Sequence, residues 1–147
     1  MELYRLDRKR PILFSQAAII ESRGKILLLK DAMYKKYWML PGGLLEITES
    51  LSNGLRREIW EETRLRVKPK EIIGVYDRWH RNWKLHTGRR MDVRVIKVVY
   101  VCTKISGQVR LSDEHEDFRW VTLSKVRELP LYDIPRSALR DYYHTNL

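Results

Sequence analysis

Cysteine is nearly absent. The 147-residue chain has one, Cys102, which excludes an intrachain disulfide and a cysteine zinc cluster. It lies in the run VVYVCT, where a small buried core residue is a simpler reading than a reactive thiol. Long apolar stretches are also missing. Runs such as AAII and ILLL are far shorter than the roughly 20 residues that cross a bilayer. The N-terminal MELYRLDRKRP has charges but no apolar segment of signal-peptide length behind it. These absences lead to the expectation of a soluble, cytoplasmic protein with no membrane partner. Glycine and proline are few, 7 and 5, and scattered, so no linker is visible and one domain over residues 1–147 is expected. Acidic residues are outnumbered, 19 against 29 Lys and Arg, for a net charge of +10. That excess favours anionic partners, polyphosphates or nucleic acid, without choosing among them.

The residues present give the elements. PILFSQAAIIES and ILLLK read as strands, and the SRGK turn with Gly24 joins them into an antiparallel hairpin. After DAMYKKYWML, Pro41-Gly42-Gly43 is a strong break. A helix is expected from about Ser50 to Arg64. Thr48 or Ser50 can cap it, Glu49 falls in the first turn, and Leu51, Leu55 and Ile59 recur every four residues along one edge. Lys68-Pro69 closes that region. EIIGVYD, VRVIKVVYVCTKI and FRWVTL read as strands. LSKVREL and IPRSALRDYYHTNL read as helices, the second with Pro135 at the first position and suited to packing or to a homodimer contact. Helices separated by more numerous strands point to an α/β or α+β class, a mixed β-sheet with helices on its faces.

The expected helix carries Glu58, Glu61 and Glu62. At 100° per residue they fall at roughly 0°, 300° and 40°, on one narrow stripe. Like charges so placed weaken a helix. A hard divalent cation such as Mg²⁺ would offset that repulsion, because it takes oxygen ligands and leaves room for a substrate phosphate. Gly54 lies on the same stripe one turn earlier, where the missing side chain would leave space for a phosphate group. The plainer alternative is a solvated acidic face paired with Arg56, Arg57 and Arg64.

The run PGGLLEITESLSNGLRREIWEETRL resembles the signature of the Nudix hydrolase family, G-x5-E-x7-R-E-U-x-E-E-x-G-U with U a large apolar residue. Gly43, Glu49, Arg57, Glu58, Ile59, Glu61, Glu62 and Leu65 stand at the specified positions. One position departs: the family glycine is Arg64, which must take a left-handed backbone or end the helix differently. YWMLPGG and EHEDFRWV look like the strands that flank the signature in this family.

The resemblance implies an α/β/α sandwich and a metal-dependent pyrophosphohydrolase. Water would attack phosphorus in a nucleoside diphosphate linked to another moiety, either a nucleoside triphosphate or an ADP-ribose-like sugar nucleotide. It also implies roles. Glu58, Glu61 and Glu62 would bind Mg²⁺, or Mn²⁺ in its place, with the Gly42 carbonyl as a further ligand. Glu58 would be the general base, and Arg57 with Glu49 would hold loop and helix in register. Glu46 could approach the metal site. Glu114 or Glu116 would complete it or act as the base, and strict strand alternation puts Glu116 on one face with Phe118 and Trp120.

Outside the signature, Arg78-Trp79-His80-Arg81 through Arg90 interleaves aromatics with cations between two expected strands. Indoles stack on bases and guanidinium groups fork onto phosphates, so the segment is either a substrate lid, a loop facing a 5′-phosphorylated RNA, or a basic surface hairpin. His80 and His86 could titrate near neutrality, though ordinary surface is the simpler reading. Tyr4, Tyr34 and Trp38 could line a nucleobase pocket, though core packing is the simpler reading for each. Two other classes stay open: a non-catalytic nucleotide- or RNA-binding module on the same fold, and a basic scaffold without a ligand.

Overall fold

The computed structural model describes residues 11–84 and 87–145. Tyr4 and His86 lie outside them. The described strands, β1 (Ile12–Ser22), β2 (Lys25–Asp31), β3 (Trp38–Met39), β4 (Gly42–Leu44), β5 (Arg66–Lys84), β6 (Arg90–Ser106) and β7 (His115–Val121), form one sheet of order β3-β2-β1-β6-β5, with β4 paired to β1 and β7 to β2. β1 (Ile12–Ser22) and β2 (Lys25–Asp31) are the expected hairpin, with Ser22 opposite Lys25. Its two central residues, Arg23 and Gly24, both have positive φ, 51° and 73°, as a tight right-twisted hairpin turn requires. Along β1, Ala17 and Ile19 face one core cluster and Ala18 and Ile20 the other; along β2, Ile26 and Leu28 alternate in the same way with Leu27 and Leu29. Both faces are buried, so these strands read as continuous apolar runs rather than alternating ones.

Pro41 lies between two short strands, β3 (Trp38–Met39) and β4 (Gly42–Leu44), and Gly42-Gly43 open β4 rather than ending the sheet. β4 lies antiparallel to β1. Helix α1 (Leu51–Thr63) follows, capped by Ser50, whose side chain accepts from the Asn53 N–H. Leu55 and Ile59 are fully buried against Ala18, Ile20 and Leu29, whereas Leu51 is 43% exposed. Glu49 lies before the cap instead of in the first turn.

Lys68-Pro69 does not end its segment. β5 (Arg66–Lys84) runs through it and pairs antiparallel with β6 (Arg90–Ser106). The register shifts beside Pro69, and β5 is an end strand of the sheet, where a residue without an N–H is tolerated. β6 runs parallel to β1, which makes the sheet mixed. β7 (His115–Val121) pairs with β2. Only one turn of the LSKVREL helix forms, α2 (Leu123–Val126). α3 (Asp133–Thr145) begins two residues before Pro135, which therefore sits third, still among the N–H groups that have no helical partner. Val126, Ala138, Leu139 and Tyr142 bury the face opposite α1. The expected mixed sheet with helices on both faces is what forms.

Candidate functional site

The C-terminal end of α1 organises the site. Arg64 adopts the left-handed conformation, φ 61° and ψ 17°, and its N–H reaches back to the Trp60 carbonyl at 2.8 Å. The departure from glycine thus leaves the exit geometry intact. The Arg64 guanidinium lies 5.4 Å from the centre of the Trp60 ring, a contact glycine could not make. The last carbonyls of a helix have no internal partners. Here Ser112 N–H donates to the Glu62 carbonyl at 3.2 Å and Arg110 N–H to the Thr63 carbonyl at 2.9 Å. Those two bonds draw the β6–β7 connection beneath the helix end and bring Glu114 and His115 beside Glu62.

Arg57 is the hub of the exposed side. Its Nε and Nη2 donate to the two oxygens of Glu49 at 2.6 and 2.7 Å, and Nη1 to Glu58 at 3.0 Å and Glu61 at 3.1 Å. Nη2 also reaches the Leu44 carbonyl at 3.3 Å. This two-pronged grip joins β4, the following loop and α1, as expected for Arg57 and Glu49. It holds Glu49 below the usual carboxylate range. Glu46 is an outlying member, 3.8 Å from Arg57 and largely exposed.

The three helix carboxylates differ in burial. Glu61 is half-exposed and Glu58 mostly covered. Burial pushes the Glu58 pKa up, Arg57 opposes it, and Glu62 and Glu61 add to the rise. Gly43 packs directly against the Glu58 carboxylate, where any Cβ would collide with it. Glu62 is only 6% exposed. One of its oxygens accepts the Gly42 N–H at 2.9 Å, and the other lies 3.3 Å from His115 Nε2. Gly42 therefore reaches the group through its N–H. Gly54 opens no space for a phosphate. It is buried, and a Cβ there would meet Leu45, Glu49 and Gln16, so its role is to let β1 and the loop before α1 close onto the helix.

Glu62, Glu114 and His115 offer ligand atoms that all lie within 4.8 Å of one another. Glu116 does not join them. The register shift between Lys30 and Asp31 leaves Glu116 without a strand partner; its carboxylate pairs with Lys30 at 3.1 Å and Lys35 at 3.9 Å. Strict alternation fails at that bulge, so Glu114 is the carboxylate this segment contributes. His115 went unforeseen, and its signal was a histidine held between glutamates in EHED.

The other expected residues lie elsewhere. Trp38 is core, 4% exposed, with the guanidinium of Arg119 4.9 Å from its ring centre. Tyr34 is exposed. Arg78 through Lys84 is strand, not loop. Arg78 turns toward α3, 3.7 Å from Asp133. Trp79 lies on the opposite face, with Arg94 5.3 Å from its ring centre. Arg81 is exposed. His80 packs edge-on to Trp83, and burial, with Arg78 and Lys97 nearby, lowers its pKa.

A glutamate-bearing helix, an arginine that grips its neighbours and a glycine pair against the carboxylates agree with one further finding: the NUDIX domain model matches residues 14–142. The chain belongs to the Nudix family. Among Nudix relatives, an ADP-ribose pyrophosphatase of Methanocaldococcus jannaschii is 33% identical over 113 residues, 76% of this chain and 62% of that protein. The chain thus spans less than two-thirds of that relative's length. Nucleoside triphosphatase NudI of Salmonella paratyphi B is 31% identical over 121 residues, 79% of this chain and 84% of that one. The crystal structure of a MutT protein from Methanosarcina mazei Go1 superposes with a TM-score of 0.73 at 29% identity, covering 94% of this chain and 97% of that one. Among the described residues no helix is long and apolar enough to cross a membrane.

Proposed function

We propose that this Nudix chain hydrolyses a nucleoside diphosphate derivative, with a divalent cation bound at the carboxylates. The observation that carries the reading is the convergence of Glu58 and Glu62 on Gly42 and Gly43 while Arg57 fixes Glu49 and Glu61. A simple solvated face would not aim covered carboxylates at a glycine pair. The carboxylates suit a cation: Glu62 and Glu114 offer oxygens within 4.8 Å of one another, and Glu58 and Glu61 stand on the same helix as Glu62. When bound, the cation neutralises phosphoryl charge and favours ionisation of water.

The chain's own residues do the rest. Glu58, with its raised pKa, takes the proton from the attacking water. The new bond forms between water oxygen and phosphorus. The bridging P–O bond breaks, and its electron pair leaves with the departing phosphate. Arg57 keeps Glu58 directed at the glycine pair. Names carried by relatives support two substrate classes, ADP-ribose and nucleoside triphosphates.

Incubation with Mg²⁺ or Mn²⁺ and a panel of ADP-ribose, nucleoside triphosphates, sugar nucleotides and 5′-triphosphorylated RNA, followed by anion-exchange chromatography, tests this. A monophosphate product, lost in Glu58→Gln, is expected. No turnover of any member at neutral or alkaline pH would refute the hydrolase reading and favour a binding module.

A further inference from the structure

His115 is almost wholly enclosed, its side chain 4% exposed, and its Nδ1 has no hydrogen-bond partner. Nε2 faces the Glu62 carboxylate, 3.3 Å from Oε1, a long contact for a hydrogen bond. A buried polar group left without a partner is unfavourable, and this one faces two carboxylates. The spacing has a meaning. Nitrogen and oxygen donors about 2.0–2.1 Å from one ion stand about 2.8–3.4 Å apart when adjacent, from octahedral to tetrahedral angles. The His115–Glu62 separation falls in that range, and Glu114 completes a group within 4.8 Å.

The fold aims the ring deliberately. The β7 bulge sends Glu116 to Lys30 and leaves His115 opposite Asp31. The Ser112 and Arg110 bonds to the end of α1 bring the segment to Glu62.

We propose that His115 is a nitrogen ligand of the metal site, giving Glu62 and Glu114 a mixed nitrogen–oxygen donor set that favours first-row transition ions such as Mn²⁺ over Mg²⁺. Imidazole suits transition ions, whereas Mg²⁺ takes oxygen and water. The inference rests on the metal-dependent reading above. The competing account is a His115–Glu62 ion pair with no role in ligation.

The test uses the full chain stripped with EDTA and titrated with Mn²⁺ alone. Pulsed electron paramagnetic resonance should show one directly bound imidazole nitrogen, absent in His115→Gln and in His115→Phe, the second variant guarding against misfolding of the first. Mn²⁺ affinity should fall about 10- to 100-fold in the variants, and Mg²⁺ affinity by less than about threefold. Bound Mn²⁺ without nitrogen coupling would overturn the ligand assignment and leave the metal-dependent reading standing. Equal losses for both ions would also overturn it. No Mn²⁺ binding at all would overturn both.

Discussion

Gly42 and Gly43 are neighbours whose replacement by alanine should fail in opposite ways. At Gly42, φ is 158° and an added Cβ would run into the Gln16 carbonyl oxygen and come within 2.6 Å of Ala17 Cα. Both are backbone atoms of β1, and they cannot swing aside. Overpacking costs about 1–3 kcal/mol and an unfavourable φ about 1–2 kcal/mol more. Gly42→Ala should therefore lose about 3 kcal/mol or more. For a chain of this size that lowers Tm by about 10 °C. At Gly43 the three atoms nearest the added Cβ all belong to the Glu58 carboxylate, with Cδ at 2.5 Å and Oε1 at 2.9 Å. A side-chain end can move, so Gly43→Ala should stay within about 1 kcal/mol of the parent. Its displaced carboxylate should slow turnover on the order of 100-fold, because misplacing a reacting group by about 1 Å has that effect. Urea unfolding and steady-state kinetics on both variants provide the readout. A stable Gly42→Ala, or a Gly43→Ala with parental kcat, would show that the glycine pair does not shape the site as argued.

Three further outcomes follow from single residues. Arg64→Gly relieves a left-handed backbone but loses the Trp60 contact, so it should be between zero and about 1 kcal/mol more stable; a loss above about 1 kcal/mol by urea titration would contradict this. Burial pushes the Cys102 thiol up to about 12, so a disulfide reagent at pH 8 should modify it only as fast as the chain opens; rapid stoichiometric labelling of the folded protein would be the contrary result. Burial also lowers the Lys97 pKa, against the charge of Glu62. The unfolded chain then holds that proton to higher pH, so stability should rise as pH passes from the folded value toward the ordinary one near about 10.4. Lys97→Met should lack that rise; identical pH dependence in both chains would refute it.

What the sequence disclosed followed from locality. The carboxylate helix and its Ser50 cap are set by fixed spacings within one segment, and the Arg57–Glu49 pairing came with the resemblance to the Nudix signature. The β1–β2 hairpin declares itself through Arg23-Gly24 between apolar runs. The larger misses involve a distant partner. Glu116 was expected at the site because alternation assumes an unbroken register, and the bulge opposite Lys30 and Asp31 breaks it. Pro69 looked like an end because nothing local says that β5 will lie at a sheet margin. Arg78 and Trp79 looked like parts of one segment between strands until pairing with β6 put them on opposite faces of β5. His115 acquired meaning only through Ser112 and Arg110, whose partners are carbonyls at the far end of α1.

The long outer strand β5 has a bearing on solubility. Ile72 and Val75 stand exposed on it, 54% and 64%, and among the described residues no strand pairs with its outer margin, ordinarily an invitation to add further strands from other molecules. Four register shifts interrupt it, at Arg66/Val67, Pro69/Glu71, Ile72/Gly74 and His80/Trp83. Each irregularity bends the backbone away from the flat, evenly spaced row of donors and acceptors that a second chain would need. Lys68, Lys70 and Lys84 add like-charge repulsion between any two copies brought side by side. The same features that made this strand hard to read thus guard the folded chain against stacking into fibres.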